Sequence, residues 1–503
     1  MILRLLLAIC AIALPSCREA ESPRDVDGVP SPAAAAVPGP MAPDVAAALE
    51  AAGPNRPQLE RAILDSHGDE QKAAAWLVAR TPFRGTVGNL EAHLAKVSDS
   101  ETLSTDLLRA DVTQAFEAWH RWPWAREVDS DTFLQFVLPY RMTTEELEDW
   151  RAFLLGFPDL VAGVERLAEA YRAAPEQGRS AVFRQLVHFL NSEWLASHMK
   201  YAPRGMPDLA PSKAIAAGTG RCTDLTNALI ALCRTFGVPA TGVRTLWWPK
   251  ADSNHYWAAI YDPAAKTWYD VDAASTAPLD DAYFHIQHGG CHAKVYKIAP
   301  GEERGAVARA VEPREGEAIP PLLDWYLRCT PMVDVTSEYT KVSTTSWSGL
   351  VPGRLYGLAV FNNGGLQEVA AARATPTGEV AFSDVGAQDV LYFITTFEWK
   401  GNTLAQHVAG PPFVLRLDGK AIRLRFLPAR DAQVTIDCLP ATAEVSLRRL
   451  GDTAWEEVLH AKTDAEGRLT VAHAPRETVM VVFDSNDRPI GRPMVLFEKL
   501  ERF

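Results

Sequence analysis

Two periodicities divide the chain. In the first part, apolar residues recur at steps of three and four, as at Leu160, Val164, Leu167 and Tyr171, which is typical of helices with one buried face. From about residue 331 the period changes to two, with turn residues between short β-rich runs. The pattern predicts an α+β multidomain protein. Its expected parts are a helical N-terminal region and one or two C-terminal β-sandwich modules, at residues 46–175, 331–430 and 431–503.

Two turn sequences predict hairpins in the C-terminal part. Asp418-Gly419 lies between two β-rich runs, and a two-residue loop at this point pairs Leu415 with Ile422. Asn363-Gly364 marks another turn directly after a predicted strand. These turns support the prediction of antiparallel β modules.

Composition and charge exclude several classes of function. The 503 residues are 47% hydrophobic and 22% charged, which is close to the average for a globular protein. The net charge is -13 and no long basic run interrupts it, so we expect no nucleic-acid partner. An anionic membrane surface is excluded as a partner for the same reason. No apolar run approaches the roughly 20 residues of a membrane-spanning helix.

The N-terminus predicts export. Arg4 precedes an apolar run from Leu5 to Leu14, which has the length of a signal-peptide core. The following Leu14-Pro15-Ser16-Cys17 resembles a bacterial lipoprotein cleavage box, in which Cys17 would carry the lipid. We therefore expect a signal peptide at 1–16 and a flexible Ala/Pro/Ser-rich tether at 17–45. The protein would be lipid-anchored at the cell envelope, on the periplasmic or outer-membrane face. The alternative is an ordinary secretory signal in which Cys17 is incidental.

The remaining cysteines predict a free thiol. Beyond the cleavage box the chain holds an odd number of them, and an odd count in an exported protein leaves at least one unpaired within the chain. One member is therefore a candidate reactive thiol. The five are Cys222, Cys233, Cys291, Cys329 and Cys438.

One of these cysteines lies where a helix is predicted to begin. Residues 218–222 lead into an apolar face that repeats at helical spacing, and Gly237 marks the end of the helix. Unpaired amides and the helix dipole favour a thiolate at Cys222, and Arg221 adds positive charge. Cys233 lies on the buried face of the same helix, so we expect it to be a core residue.

A predicted hairpin adds a histidine and two aspartates on one face. A turn after Tyr261 pairs that residue with Lys266, which places His255 opposite Asp272. Directly opposed side chains have Cβ atoms about 5 Å apart, which suits an imidazole–carboxylate hydrogen bond. Asp272 is therefore the predicted orienting carboxylate, and Asp270 is the reserve.

Together these residues predict a catalytic triad. Cys222 would be the nucleophile, His255 the base that forms an ion pair with it, and Asp272 the group that orients the histidine. Any large chain contains a Cys, a His and an Asp, so it is their placement on a helix start and a hairpin that favours this interpretation.

Four motifs in this region resemble the core of the transglutaminase-like superfamily, over about residues 205–275. The resemblance implies a papain-like core, which we place at 176–330, with the Cys on a helix and the His and Asp on neighbouring strands. In that family the Asp usually lies four residues after a Trp. Tyr256 departs from the family pattern, in which a small residue commonly follows the His. The motifs are Gly220 to Asp224, Phe236 to Ala240, Asn254 to Trp257 and Trp268 to Asp272.

The resemblance implies chemistry on amide bonds through a Cys thioester. Peptide hydrolysis, deamidation and transamidation all follow this route, and the partner would be a protein or peptide amide. No metal or organic cofactor is required, although some family members use calcium. The backbone N–H of Cys222 is the expected oxyanion donor. Trp194 and Asn191 are alternative side-chain donors, with core packing favoured for Trp194.

Several features keep other functions open. The chain could be a non-catalytic surface adaptor that uses the core or the β modules to bind protein or glycan. His285, His288, Cys291 and His292 could ligate zinc, although their spacing matches no common structural site and favours a loop. Trp247-Trp248 could line a substrate groove or pack as a strand edge. Oligomeric state is not indicated.

A looser resemblance extends to bacterial exported proteins that carry this core between helical and β regions. This looser resemblance indicates similar proteins and implies no chemistry for the segments that carry it. Its landmarks are the segments 52–56, 136–141, 292–296 and 334–336.

Overall fold

The computed structural model describes most of the chain beyond the predicted tether. The first helix begins at Pro43, which already lies within that predicted segment. The predicted signal peptide and Cys17 lie outside the described residues. Among the residues described, no helix is long and apolar enough to cross a membrane. The described ranges are 42–87, 96–277, 279–280, 291–301, 317–318, 331–400, 403–424, 432–451 and 455–503.

The N-terminal half is helical, as predicted. Its longer helices bury apolar residues at helical spacing, and the helix at 158–173 buries Leu160, Val164 and Tyr171. Two pairs of very short strands accompany the helices, β1 (Gly85–Val87) with β2 (Lys96–Ser98) and β3 (Lys200–Tyr201) with β4 (Thr219–Gly220). A π-helical segment, Phe189–Leu195, follows the ninth helix. The α-helices are α1 Pro43–Ala51, α2 Arg56–Leu64, α3 Gly68–Val78, α4 Asp99–Thr102, α5 Thr105–Arg121, α6 Ser130–Phe136, α7 Trp150–Leu155, α8 Pro158–Ala173, α9 Glu176–His188, α10 Ala196–His198, α11 Pro211–Ala217 and α12 Cys222–Thr235.

Helix α12 lies at the centre of the hydrophobic interior. Every residue from Thr223 to Thr235 is buried. A single apolar cluster joins this helix to α8, to α9 and to the sheet strand that carries Ile260. The helix ends where Gly237 adopts a φ of 68°, and a Cβ there would lie 2.6 Å from the Cβ of Ala125. Glycine is therefore required at this position both by backbone conformation and by close packing.

A five-stranded antiparallel sheet packs against α12. The strand order is β7-β6-β5-β8-β9, so the predicted His-bearing hairpin forms one side of the sheet. The strands are β5 Ala240–Thr245, β6 His255–Asp262, β7 Thr267–Val271, β8 Tyr296–Ile298 and β9 Met332–Asp334.

Two β modules follow the sheet, after a short helix α13 (Thr336–Tyr339). Each module encloses an apolar core between a large sheet and a two-stranded sheet. A third apolar cluster joins the outer faces of the two large sheets, so the modules pack against each other. The strands of the first module are β10 Val342–Trp347, β11 Leu355–Asn362, β12 Gly365–Arg373, β13 Val380–Gly386, β14 Val390–Lys400, β15 Thr403–Val408, β16 Phe413–Leu415 and β17 Ala421–Arg423. Those of the second are β18 Val434–Ile436, β19 Glu444–Leu450, β20 Trp455–Lys462, β21 Leu469–Val471, β22 Val479–Asp484, β23 Pro489–Leu496 and β24 Leu500–Arg502.

The two predicted hairpins had different outcomes. Asn363-Gly364 forms a two-residue turn, because Asn362 pairs with Gly365 and both turn residues have positive φ. The register predicted around Asp418-Gly419 is wrong by one residue.

The loop around Gly419 accounts for that error. The backbone of Arg416 bonds to Lys420 and to Gly419, which makes a three-residue loop. Gly419 takes the left-handed conformation at its end, with a φ of 81°. Leu415 therefore pairs with Ala421 instead of Ile422.

Two buried arginines tie the helical region to the C-terminal end of α12. Arg234 is 1% exposed. Arg151 forms an ion pair with Asp111 at 2.9 Å and also donates to the carbonyl of Arg234 at 2.6 Å. A buried guanidinium is stable only when its donors are satisfied, so these bonds fix the position of the helix. Arg234 donates to the carbonyls of Phe136, Pro139, Arg141 and Ala240.

We expect Arg234→Met to be strongly destabilising. Loss of the guanidinium leaves several buried carbonyls without their donor, and breaking such a buried network typically costs about 3 to 5 kcal/mol. Arg61→Met is the matched control, because Arg61 is exposed and its pair with Asp65 is a surface contact worth less than about 1 kcal/mol. The measurement is the midpoint of urea denaturation. Equal midpoints for the two variants would contradict a structural role for Arg234.

Candidate active site

Cys222 is the first residue of α12, where the sequence predicted it. The turn that presents it is held by Asp224, which is fully buried. The Asp224 carboxylate accepts hydrogen bonds from the backbone N–H of Arg221 at 3.0 Å and of Leu209 at 2.8 Å. At Gly220 a Cβ would lie 2.7 Å from the Cβ of Asp224. The Gly, the Cys and the Asp of this motif are therefore parts of one packed turn.

A second buried carboxylate holds the Arg221 side chain beside the thiol. Arg221 forms an ion pair with Asp208. Asp208 in turn accepts hydrogen bonds from the hydroxyls of Thr143 and Thr144, at 2.9 and 2.8 Å. The positive charge predicted next to Cys222 is thus fixed in place by the helical region.

His255 and Asp272 are in contact. The Nε2 atom of His255 lies 3.1 Å from Oδ1 of Asp272, and the His255 side chain is only 7% exposed. The thiol of Cys222 interacts with the same imidazole, and each group shifts the pKa of the other. Because Nε2 is engaged by Asp272, we assign Nδ1 as the ring atom that faces the thiol. The structure therefore brings the three predicted residues together.

The strand register that predicted this contact is wrong by two residues. Tyr261 pairs with Trp268 and not with Lys266, which has a φ of 53° and belongs to the turn. Asp262 causes the difference, because its carboxylate caps the turn by accepting backbone N–H groups at 3.0 and 3.2 Å. A two-residue slip leaves every side chain on its original face. Asp272, just past the end of β7, therefore still reaches the histidine.

Asn191 fixes the segment that carries Asp272. Its amide nitrogen donates to the backbone carbonyls of Asp272 at 3.0 Å and of Ser275 at 3.2 Å. Its oxygen accepts from the backbone N–H of Ala274 at 2.7 Å. Asn191 lies in the π-helical segment, an irregularity often found at functional sites. The sequence predicts Asn191 as an alternative oxyanion donor, but its amide anchors this loop in the structure.

Trp194 packs in the core, which was the favoured interpretation. It is 3% exposed and its ring stacks on His198 with centroids 4.0 Å apart. Its indole N–H donates to Asp159 at 3.1 Å. Trp248 is likewise buried, and Trp247 packs against the core of the first β module.

The reserve carboxylate Asp270 has a different set of partners. Its Oδ1 accepts from the indole of Trp257 at 3.0 Å and from the hydroxyl of Tyr339 at 2.9 Å. These bonds tie β6 and β7 to α13. Asp272, and not Asp270, is thus the carboxylate bonded to His255 in the structure.

The environment favours a thiolate–imidazolium pair. Burial by itself raises the pKa of Cys222, but the hydrogen bond and charge of His255, aided by Arg221, outweigh burial and lower that pKa. Burial by itself lowers the pKa of His255, but its hydrogen bonds to Asp272 and Cys222 raise that pKa to about 9. The two groups therefore stabilise each other's charged forms near neutral pH.

The other described cysteines lack this environment. Cys222, Cys233, Cys291 and Cys438 are all free thiols, and Cys329 lies outside the described residues. Burial raises the pKa of Cys233 well above its ordinary value and that of Cys291 to about 11. Both are therefore neutral thiols at physiological pH, as expected for core cysteines.

The zinc alternative finds no support in the part of the chain that is described. His285 and His288 lie outside the described residues. Cys291 belongs to the core of the first β module, and the ring of His292 lies 5.0 Å from that of Trp248. Among the residues described, no group of three or more His, Cys, Asp or Glu side chains could hold a metal ion.

Part of the chain matches a known protein family. The family model of the transglutaminase-like superfamily matches residues 183–273, a range that includes Cys222, His255 and Asp272. Among solved structures, the crystal structure of red sea bream transglutaminase matches at 10% sequence identity and a TM-score of 0.20. That match covers 82% of this chain and 73% of the fish enzyme. No curated protein matches the chain. From the family match we conclude that residues 183–273 of this α+β chain form a transglutaminase-like domain.

Proposed function

We propose that the chain is an exported cysteine enzyme that acts on amide bonds through a thioester at Cys222. One observation carries the proposal. The thiol at the start of a buried helix interacts with His255, which lowers the thiol pKa, and Nε2 of His255 lies 3.1 Å from Asp272. This is the arrangement of a nucleophile, a base and an orienting group.

The first half of the proposed reaction is acylation. The thiolate of Cys222 attacks the carbonyl carbon of a protein or peptide amide, and the carbonyl oxygen becomes an oxyanion. The first N–H groups of a helix have no partner within the helix, so the backbone N–H of Cys222 is the proposed oxyanion donor. When the intermediate collapses, the C–N bond breaks and the imidazolium of His255 gives its proton to the leaving amine.

The second half is deacylation. His255, now neutral, takes a proton from the incoming nucleophile as that nucleophile attacks the thioester carbon. The C–S bond then breaks, which restores the thiolate and the imidazolium. Water as the nucleophile gives peptide hydrolysis or deamidation, and an amine gives transamidation. Asp272 holds the imidazole in one orientation through both halves.

The proposed setting is the cell envelope, with the lipid anchor at Cys17. The competing function is a non-catalytic surface adaptor built on the same fold. The two proposals differ in the state of the thiol, because a binding module has no use for a thiolate.

We expect Cys222 to be alkylated by iodoacetamide well below pH 8.5, the approximate pKa of a free cysteine. His255→Ala removes the hydrogen bond and charge that lower the thiol pKa, while the burial that raises it remains. Alkylation near pH 6.5 should then fall by about tenfold or more, since each unit of pKa changes the thiolate fraction about tenfold. The measurement is the alkylation rate against pH, resolved by peptide mass spectrometry.

The exposed Cys438 is the internal reference in each sample. Its alkylation profile should be the same in both proteins. A Cys222 that is inert in the folded protein, or whose alkylation profile is that of a free cysteine with and without His255, would sink the enzyme proposal and favour the adaptor.

A second pair of variants tests which carboxylate orients the histidine. Asp272→Asn removes a charge-assisted hydrogen bond that raises the pKa of His255, so less imidazolium is present near neutral pH to stabilise the thiolate, and Cys222 alkylation in this pH range should fall. Asp270→Asn is the isosteric control, because Asp270 bonds to Trp257 and Tyr339. Titration of the His255 ring by NMR gives the pKa directly. A lower His255 pKa in Asp270→Asn, together with an unchanged His255 pKa in Asp272→Asn, would assign the orienting role to Asp270.

A further inference from the structure

The loop that leads into His255 is held from outside the core. Residues 246–254, which we call the histidine loop, join β5 to β6, and His255 is the next residue after it. The loop closes through a hydrogen bond from the backbone N–H of Trp248 to the carbonyl of Ser253. Ser253 has a φ of 88°, a backbone conformation that residues other than glycine rarely adopt. Such a residue persists only where its surroundings hold it.

Asn362 of the first β module fills the centre of this loop. It is fully buried at the end of β11. Its amide nitrogen lies 2.8 to 2.9 Å from the carbonyl oxygens of Trp248, Ala251 and Ser253. Its side-chain oxygen accepts from the backbone N–H of Ser253 at 2.9 Å. Both backbone polar groups of the strained residue are thus bonded to one side chain.

The chemistry of this contact requires a carboxamide. The loop offers three acceptors and one donor, and only a group with both N–H and C=O on one short side chain matches them. A carboxylate in the same shape would face three carbonyl oxygens without a proton to donate. The next residue contributes as well, since the backbone N–H of Asn363 donates to the Asp252 carboxylate at 2.9 Å.

The second β module contacts the same loop. Arg492 donates to the carbonyl of Pro249 at 2.5 Å and to the Asp252 carboxylate at 3.1 Å. Asp252 therefore receives a hydrogen bond from each module. Because the two modules share an apolar cluster, they hold the loop as one unit.

We propose that Asn362 is a positioning residue for His255. By fixing Ser253 it sets the direction in which the chain enters β6, and so the distance from the imidazole to the Cys222 thiol. The C-terminal modules are then part of the catalytic apparatus, and the thiolate–imidazolium pair forms fully only when they are in place. This inference rests on the proposed function, since it assigns a role in forming the same pair.

The test uses the full mature protein and the variant Asn362→Asp. This change keeps the shape of the side chain and removes its N–H donors. We expect the thiol pKa to rise, so that Cys222 alkylation near pH 6.5 falls by about tenfold, which corresponds to about one pKa unit. Arg492→Met is a second variant, which leaves the buried contact of Asn362 unchanged. It should lower Cys222 alkylation near pH 6.5 by a smaller factor.

Val360→Ala is the matched control. Val360 is fully buried two residues before Asn362 on the same strand, and it packs in the core of the module. Its truncation weakens the module without touching the histidine loop. We expect a lower melting temperature with an unchanged pH profile for Cys222.

Each result has one meaning. If the wild-type thiol is activated and both folded loop variants keep the wild-type profile, the positioning proposal is wrong and the proposed function stands. An equal shift in Val360→Ala also overturns it, because general loosening of the module would then explain the effect. If the wild-type thiol titrates like free cysteine, the proposed function itself fails. Should Asn362→Asp not fold, an unshifted profile in Arg492→Met decides against the proposal.

Discussion

A buried helix that begins with a cysteine must have its polar groups satisfied at both ends, and much of the structure serves this requirement. At the N-terminal end, buried Asp224 bonds to the backbone N–H of Arg221 and Leu209. At the C-terminal end, buried Arg234 donates to several backbone carbonyls. Uncompensated, these charges would each cost several kcal/mol in the interior. Their pairing fixes the position of Cys222.

His255 and Asp272 are likewise each held by more than one contact. Asp272 is bonded to His255 through its carboxylate and to Asn191 through its backbone carbonyl. Asn362 holds the loop on the other side of His255. Preorganised groups lose little freedom when charge develops in a reaction, and the proposed reaction depends on such anchoring. It also explains why polar residues distant from the thiol are buried here.

Three of the four landmark segments of the looser resemblance, 136–141, 292–296 and 334–336, have structural roles. The segment 136–141 supplies the carbonyls that Arg234 binds. Lys294 forms an ion pair with Asp334, and the hydroxyl of Thr336 accepts from the backbone of Val295. These contacts join the core to the helical region and to the start of the β modules.

The sequence by itself determined the elements and the faces of their side chains. Helical spacing placed Cys222 at a helix start, and alternation placed His255 and Asp272 on one face of a hairpin, because both periods are local properties of the backbone. Only the tertiary structure decided the strand register, the anchoring roles of Asn191 and Asn362, and the contact of the β modules with the loop that leads into His255. A turn cap shifts the strand register without changing the hydrophobic period, and hydrogen bonds such as that from the backbone N–H of Ser253 to Asn362 join residues 109 positions apart. No local pattern records such contacts.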